Sequence, residues 1–190
     1  MNDEQVFYAL LRQELASFIG KAFQEINPGT DFLPNWHILA IAWQLTRCMN
    51  REITRLIITM PPRNLKSISA SVDFVAWALG HNPALLFICV SYAQTLAERH
   101  AADTRRVMES GWYQRCFSKT RIAKATQTEL VTDQQGFRFD TSTGGSLTGI
   151  GGNFILIDAL HKAEDAPAGT RRNTTMDFLQ YTLLSGLADE

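Results

Sequence analysis

The residues best placed to do chemistry are Pro61-Pro62-Arg63-Asn64-Leu65-Lys66-Ser67. A short apolar run precedes them and a helical pattern opens at Lys66-Ser67, the layout of a loop that cradles a phosphate chain. Loop amides and the start of the helix would face the anion. Lys66 would reach the outer phosphates, and Ser67 would offer its hydroxyl to Mg²⁺. The usual pattern, G-x-x-x-x-G-K-[ST], is nonetheless missed, because its glycine positions fall on Met60 and Leu65. Pro61 and Pro62 stiffen the loop by fixing φ. Leucine at position 65 is expected to hold an ordinary backbone region, where glycine would have more freedom. Taken alone, the segment reads equally well as a strand–turn–helix with Arg63 and Lys66 in solvent.

A phosphate loop needs an acidic partner: an apolar strand ending in Asp, which helps to hold the metal. Phe154-Ile155-Leu156-Ile157-Asp158 has that form. A lone Asp at a strand end is also a common helix cap or turn residue.

The elements that must position these residues follow from periodicity and breakers. Residues 3–26 read as one amphipathic helix, stopped by Asn27-Pro28-Gly29. Trp36 to Asn50 is a second helix. Leu56 to Met60 reads as a buried strand ended by two prolines. Lys66 to Leu79 is a helix, Leu85 to Val90 a strand, and Ser91 caps a long helix from Tyr92 to about Ser110. The segment 112–128 has no clear pattern. Glu129–Thr132 and Phe137–Asp140 form a hairpin around Asp133-Gln134-Gln135-Gly136. The glycine-dense stretch Gly144 to Gly152 precedes a strand rather than joining a strand to a helix, so it reads as a connection. A last helix is expected over about Thr170–Leu187. Strands alternating with helices imply a mostly parallel sheet covered on both faces.

With 190 residues, 18 basic and 19 acidic, the chain is long enough for one sizeable domain and is not a simple basic nucleic-acid module. Cys48, Cys89 and Cys116 are odd in number and lack metal-ligand spacing; Cys89, inside an apolar run, reads as a buried thiol in a reducing compartment. His37, His81, His100 and His161 are scattered. The N-terminus lacks the form of a signal peptide, and no apolar stretch is long enough to span a bilayer.

The segments LIITMPPRNLKSISASVDFVAWALGHNP, FICVSYAQTLAERHAADTRRVM and GFRFDTSTGGSLTGIGGNFILIDALHKAEDA resemble, in that order, the ATPase domain of phage terminase large subunits. The resemblance covers about residues 32–190. It implies an α/β fold of the P-loop NTPase type, a three-layer sandwich with a mostly parallel central sheet. It implies one ATPase domain over 1–190, with 1–31 as an N-terminal helical segment and 32–190 as the core. A loop of the form P-x-R-x-x-K-S without glycines is a variant of that family. Residue by residue, Pro62, Arg63, Asn64, Leu65, Lys66 and Ser67 would hold ATP. Arg63 would sense the γ-phosphate, and Ser67 and Asp158 would organise Mg²⁺. Trp36 and His37, in Leu33-Pro34-Asn35-Trp36-His37, sit where the family places an adenine contact; packing of Trp36 between the N-terminal helix and the core is the competing reading. The implied setting is the cytoplasm of a bacterial host. The implied partners are double-stranded DNA, a terminase small subunit and a portal protein, in a ring of like subunits.

Two departures shape the expectation. Ala159 follows Asp158 where the family commonly has a second acid, so ATP binding with slow hydrolysis is expected. Glu164 and Asp165 lie further on and are not assigned the missing role. The chain also ends before the family's later motifs, so it is expected to be C-terminally truncated and to lack nuclease activity. Arg99, Arg105, Arg106 and Arg121 are candidates for an arginine acting on a neighbouring subunit. The alternatives are a non-catalytic remnant serving assembly and, less favoured, another DNA-dependent ATPase.

Overall fold

A computed structural model describes residues 2–145, 147, 149–160, 173 and 175–183. The N-terminal pattern resolves into two helices, α1 (Asp3–Gln13) and α2 (Leu15–Ile26), broken at Glu14, whose backbone is extended. Asn2 caps α1 in a reciprocal box with Gln5. Next come α3 (Trp36–Met49) and α4 (Lys66–Ile68), which runs without interruption through a π turn (Ser69–Asp73) into α5 (Phe74–His81). Then follow β1 (Leu86–Ser91), α6 (Gln94–Glu109), α7 (Gly111–Cys116), β2 (Ile122–Ala125), β3 (Glu129–Thr132), β4 (Phe137–Ser142) and β5 (Phe154–Asp158). Within the expected last helix, residues 173 and 175–177 are α-helical and a second π segment covers Phe178–Leu183; the remaining residues of that helix lie outside the described ones.

The sheet order is β2-β3-β4-β1-β5. β1 pairs parallel with β4 and with β5, whereas β2–β3 and β3–β4 are antiparallel. The fold is therefore mixed α/β with a partly parallel sheet, and the expected mostly parallel sheet is corrected. There are two reasons. The unpatterned segment 112–128 supplies α7 and β2, and β2 adds an antiparallel pair. Leu56 to Met60 is not a strand: no ladder bond pairs it with the sheet among the described residues. Its Leu56, Ile58 and Met60 do alternate inward against the core, and Ile57 is 91% exposed. Apolar alternation thus reports alternating burial, not strand pairing.

Alternation along the strands divides the core between two faces. Phe87 and Cys89 of β1 and Phe154 and Leu156 of β5 point into the larger cluster, built with α1–α3, α5 and α7. Ile88, Val90, Phe137, Phe139 and Ile155 point the other way, where Leu147 and Phe178 cover them. Leu147 lies within the glycine-dense stretch, which thus contributes to packing as well as connecting. Phe18 of α2 meets Trp112, Tyr113 and Phe117 edge-on, and Trp77 of α5 donates to the Leu11 carbonyl. The N-terminal helices share the core of the sheet. Gly136 closes the hairpin because its amide bonds to the Pro83 carbonyl, and a Cβ there would lie 2.1 Å from that oxygen. No helix among the described residues is long and apolar enough to cross a membrane.

One buried group opposes folding. Asp73, in the π turn, is fully buried and neither carboxylate oxygen has a hydrogen-bond partner among the described residues. Burial, reinforced by the Asp103 carboxylate, pushes its pKa well above the usual range. Above an unfolded pKa of about 3.9 the native state then holds a proton that the unfolded state releases, so stability falls as pH rises through that window. Asp73→Asn removes this slope. In urea unfolding the variant should gain on the wild type as pH rises above about 4; parallel curves would show that Asp73 is not the titrating group.

Candidate functional site

The loop ahead of α4 has an unusual backbone. Arg63 (φ 65°) and Leu65 (φ 59°, ψ 9°) are both left-handed, and Asn64 between them is not. Such alternation turns successive amides toward one side and makes an anion-binding concavity. The expectation that Leu65 keeps to an ordinary region is therefore corrected: leucine takes up the conformation normally left to glycine. A left-handed residue costs roughly 1–2 kcal/mol. Leu65 offsets this because its side chain packs partly buried against the core, as does Met60 at the other position where the usual pattern has glycine. Asn64 Nδ2 donates to the carbonyls of Pro61 (3.1 Å) and Pro62 (3.2 Å), closing the loop on itself. The first helical turn closes with the Ser69 amide on the Leu65 carbonyl at 2.8 Å.

Asp158 is the last residue of β5, level with Ser91 at the end of β1. Parallel strands thus deliver it to the carboxyl edge of the sheet, where α/β proteins commonly bind ligands. There Ser67 Oγ donates to Asp158 Oδ1 at 2.8 Å, across 91 residues of sequence. Lys66 Nζ lies 3.3 Å from the same oxygen. The other oxygen, Oδ2, faces His100 Nε2 of α6 at 4.0 Å. Burial, aided by Arg138 and opposed by Asp158, lowers His100 to a pKa of about 4, so the ring is neutral at pH 7. The pair Lys66–Asp158 is partly shielded: the lysine side chain is one third exposed and the carboxylate 9%.

The structure therefore brings Lys66, Ser67 and Asp158 together. The other expected residues stand as follows. Pro62 and Arg63 are exposed on the loop. Trp36 is 76% exposed at the start of α3, with its ring edge-on to His37, and it borders a groove with Gly20, Phe32, Pro34 and Leu39. That exposure also removes the reading in which Trp36 packs the core. No hydrogen bond, ion pair or ring contact joins Trp36 or His37 to residues 61–67 among the described residues. Ala159 is exposed with φ 61°. Glu164, Asp165 and His161 lie outside the described residues. Of the candidate arginines, Arg105 pairs with Glu109 on its own helix and Arg106 approaches Glu25 of α2, while Arg121 donates to the Thr120 carbonyl. Cys89 is a buried thiol pushed up to about 12, as its apolar run suggested.

Sequence reasoning missed His100 and Arg138. Arg138 and Asp140 of β4 are both buried on the helical face, where the carboxylate accepts two bonds from the guanidinium, 2.7 and 2.6 Å. The signal was there: in Phe137-Arg138-Phe139-Asp140 two opposite charges alternate with phenylalanines inside a strand, so one face of the pair must bury charge.

The loop's strain is testable without any ligand. Arg63 is exposed, so Arg63→Gly relieves a left-handed backbone and loses little packing. Urea unfolding should show the variant more stable by up to about 1 kcal/mol. A loss of similar size would mean that the guanidinium, not the backbone, governs the loop.

Among the described residues, no group of three or more His, Cys, Asp or Glu side chains is arranged to hold a metal ion. No family model matches this chain, and no curated protein matches it significantly.

Proposed function

We propose that this chain is the ATP-binding motor domain of a DNA-packaging terminase of the phage type, which couples ATP hydrolysis to translocation of double-stranded DNA into a capsid, with hydrolysis slowed by Ala159. The observation that carries the reading is the convergence of the Ser67 hydroxyl and the Lys66 ammonium on Asp158 Oδ1, at 2.8 and 3.3 Å, beside a doubly left-handed loop. A hydroxyl and a carboxylate are hard oxygen donors of the kind Mg²⁺ takes, while a lysine and inward-turned amides suit phosphate oxygens. The donor set therefore fits Mg-ATP.

The chain's own groups divide the work. Lys66 neutralises phosphate charge, and it is held at the site by Asp158 until an anion competes for it. The loop amides and the start of the helix orient the phosphate chain. Ser67 and Asp158 hold the metal side, and the exposed Arg63 serves as the γ-phosphate sensor. Bound Mg²⁺ would neutralise the charge that develops as the phosphoryl group leaves. Trp36 and His37 serve as the adenine contact. DNA, a small terminase subunit, a portal protein and a ring of like subunits belong to the same reading, in a bacterial cytoplasm.

A second reading, a non-catalytic remnant used for assembly, draws on Ala159. It occupies the position of the water-handling acid and its methyl group can neither orient nor deprotonate water. Water-positioning groups contribute about 10²–10⁴ in rate. Asp is among the few residues that tolerate the left-handed backbone found there. Ala159→Asp should therefore raise turnover at least about tenfold if only this acid is missing. Normal turnover with Ala159 in place would remove its assigned role.

Binding separates the two readings. A ligand that binds only the native state at about 100 times its Kd stabilises by about 2.7 kcal/mol, which is roughly 5–10 °C in a chain of this size. Mg-ATP should raise Tm by that order in the wild type and not in Lys66→Ala. No shift in the wild type, or an equal one in Lys66→Ala, supports the remnant.

A further inference from the structure

The π turn at Ser69–Asp73 begins two residues after Ser67, and the Phe74 amide bonds back five residues, to the Ser69 carbonyl. An extra residue in a helical turn rotates one side of the helix against the other by about 100°. Lys66 and Ser67 lie on one side of this turn, and the packed helix α5 lies on the other. Whatever holds the π turn therefore sets the direction from which Lys66 and Ser67 meet Asp158.

The group that holds it is Arg138. Its side chain is fully buried, and its Nη1 donates to the Ser71 carbonyl in the middle of the π turn and to Thr104 Oγ1 of α6 at 2.8 Å. Its Nε and Nη2 are fixed by Asp140, as described above. Thr104 donates in turn to the His100 carbonyl at 2.9 Å, and the His100 ring faces Asp158 from the side opposite Ser67. One rigid, planar cation thus ties β4, the π turn and α6 together. Two of these three elements reach the site: the π turn leads back to Ser67, and α6 carries His100 at its middle.

We propose that Arg138 is a positioning residue for the phosphate loop: through Ser71 it holds the π turn, and so it fixes Lys66 and Ser67 opposite Asp158. The role deepens the nucleotide-binding reading and rests on it. Lysine cannot substitute, because a single ammonium cannot grip Asp140 with two bonds and reach Ser71 and Thr104 as well.

Two variants separate positioning from mere stability. Arg138→Lys keeps the charge beside Asp140. The double variant Arg138→Met with Asp140→Leu removes both charges, a change that in other buried pairs leaves stability intact or raises it. Tyr113→Phe is the control, since Tyr113 donates to the Ala76 carbonyl further along the same helix. Amide exchange of residues 66–71, without nucleotide, should quicken about tenfold in the Arg138 variants, with β1 amides unchanged. Mg-ATP should bind them about tenfold more weakly, and Tyr113→Phe should retain both wild-type values. Should neither Arg138 variant fold, Thr104→Val weakens the same tether and is judged by the same criteria. Wild-type exchange and affinity in a folded Arg138 or Thr104 variant overturn the proposal, as does an exchange increase spread evenly over the core. If the wild type itself gives no Mg-ATP shift, the nucleotide-binding reading fails, and the exchange pattern alone decides whether Arg138 positions the loop.

Discussion

A guanidinium without solvent must be given acceptors, and the requirement of Arg138 organises the middle of this fold. Removing such a cation from water costs several kcal/mol, and the cost is met only when every donor finds good geometry. Asp140 supplies two acceptors from the same strand, two residues along. The others come from outside the sheet: Thr104 from α6 and the Ser71 carbonyl from the π turn. Satisfying one side chain therefore dictates how α6 and the helix after the loop lie on β4. The β1–β4 register sets Phe87 against Arg138 and Cys89 against Asp140, so the pair sits on the helical face under an apolar cover. Asp73, in the same π turn, meets burial differently. It has no hydrogen-bond partner among the described residues, and its raised pKa is the mark of a carboxyl that avoids charge rather than neutralising it.

The loop before α4 reaches a glycine conformation without glycine, and the means are visible. Two prolines fix its entry, Asn64 ties its own loop carbonyls, and Leu65 anchors a left-handed backbone through partly buried apolar contact. The strain is local and the compensation is mostly packing. A phosphate loop needs inward amides and a close backbone, not a particular residue type. Glycine is the cheap way to that backbone; a leucine on a core is another.

Much of this was legible in the sequence, and the failures share a cause. The hairpin at Asp133–Gly136, the strands of β1 and β5 and the helix from Lys66 follow from periods and breakers, which are local. Pairing is not local. Leu56 to Met60 has the alternation of a strand and alternates in burial, yet takes no ladder partner among the described residues, and β2 joins the sheet from a segment with no pattern. The meeting of Ser67 with Asp158 could be expected only from the family resemblance that links the two segments. His100 could not, because nothing in its helix marks it: it reaches Asp158 through the packing of α6. Arg138 and Asp140 were readable as charges within a strand, but their partners were not, since these depend on where the π turn falls. Asp103 marks the same limit: its helix pattern puts it on the outer face, whereas burial is the main cause of its raised pKa.

The two ends of Asp158 separate binding from turnover. On one side Ser67 and Lys66 already converge on Oδ1, so the groups that would hold a metal and a phosphate are assembled within ordinary hydrogen-bond distance. On the other side His100 is neutral and at 4.0 Å, close enough to shape the field at Oδ2 but too far to hold it. The next residue along the chain, Ala159, brings no polar atom. A left-handed alanine in that position is energetically odd, since nothing about its side chain favours φ 61°. The backbone there is set by what β5 and the following turn require, and Asp or Asn would occupy it at lower cost. The backbone at position 159 thus suits glycine, Asn or Asp better than the residue that occupies it. On the proposed reading, such a site would hold nucleotide better than it would cleave it.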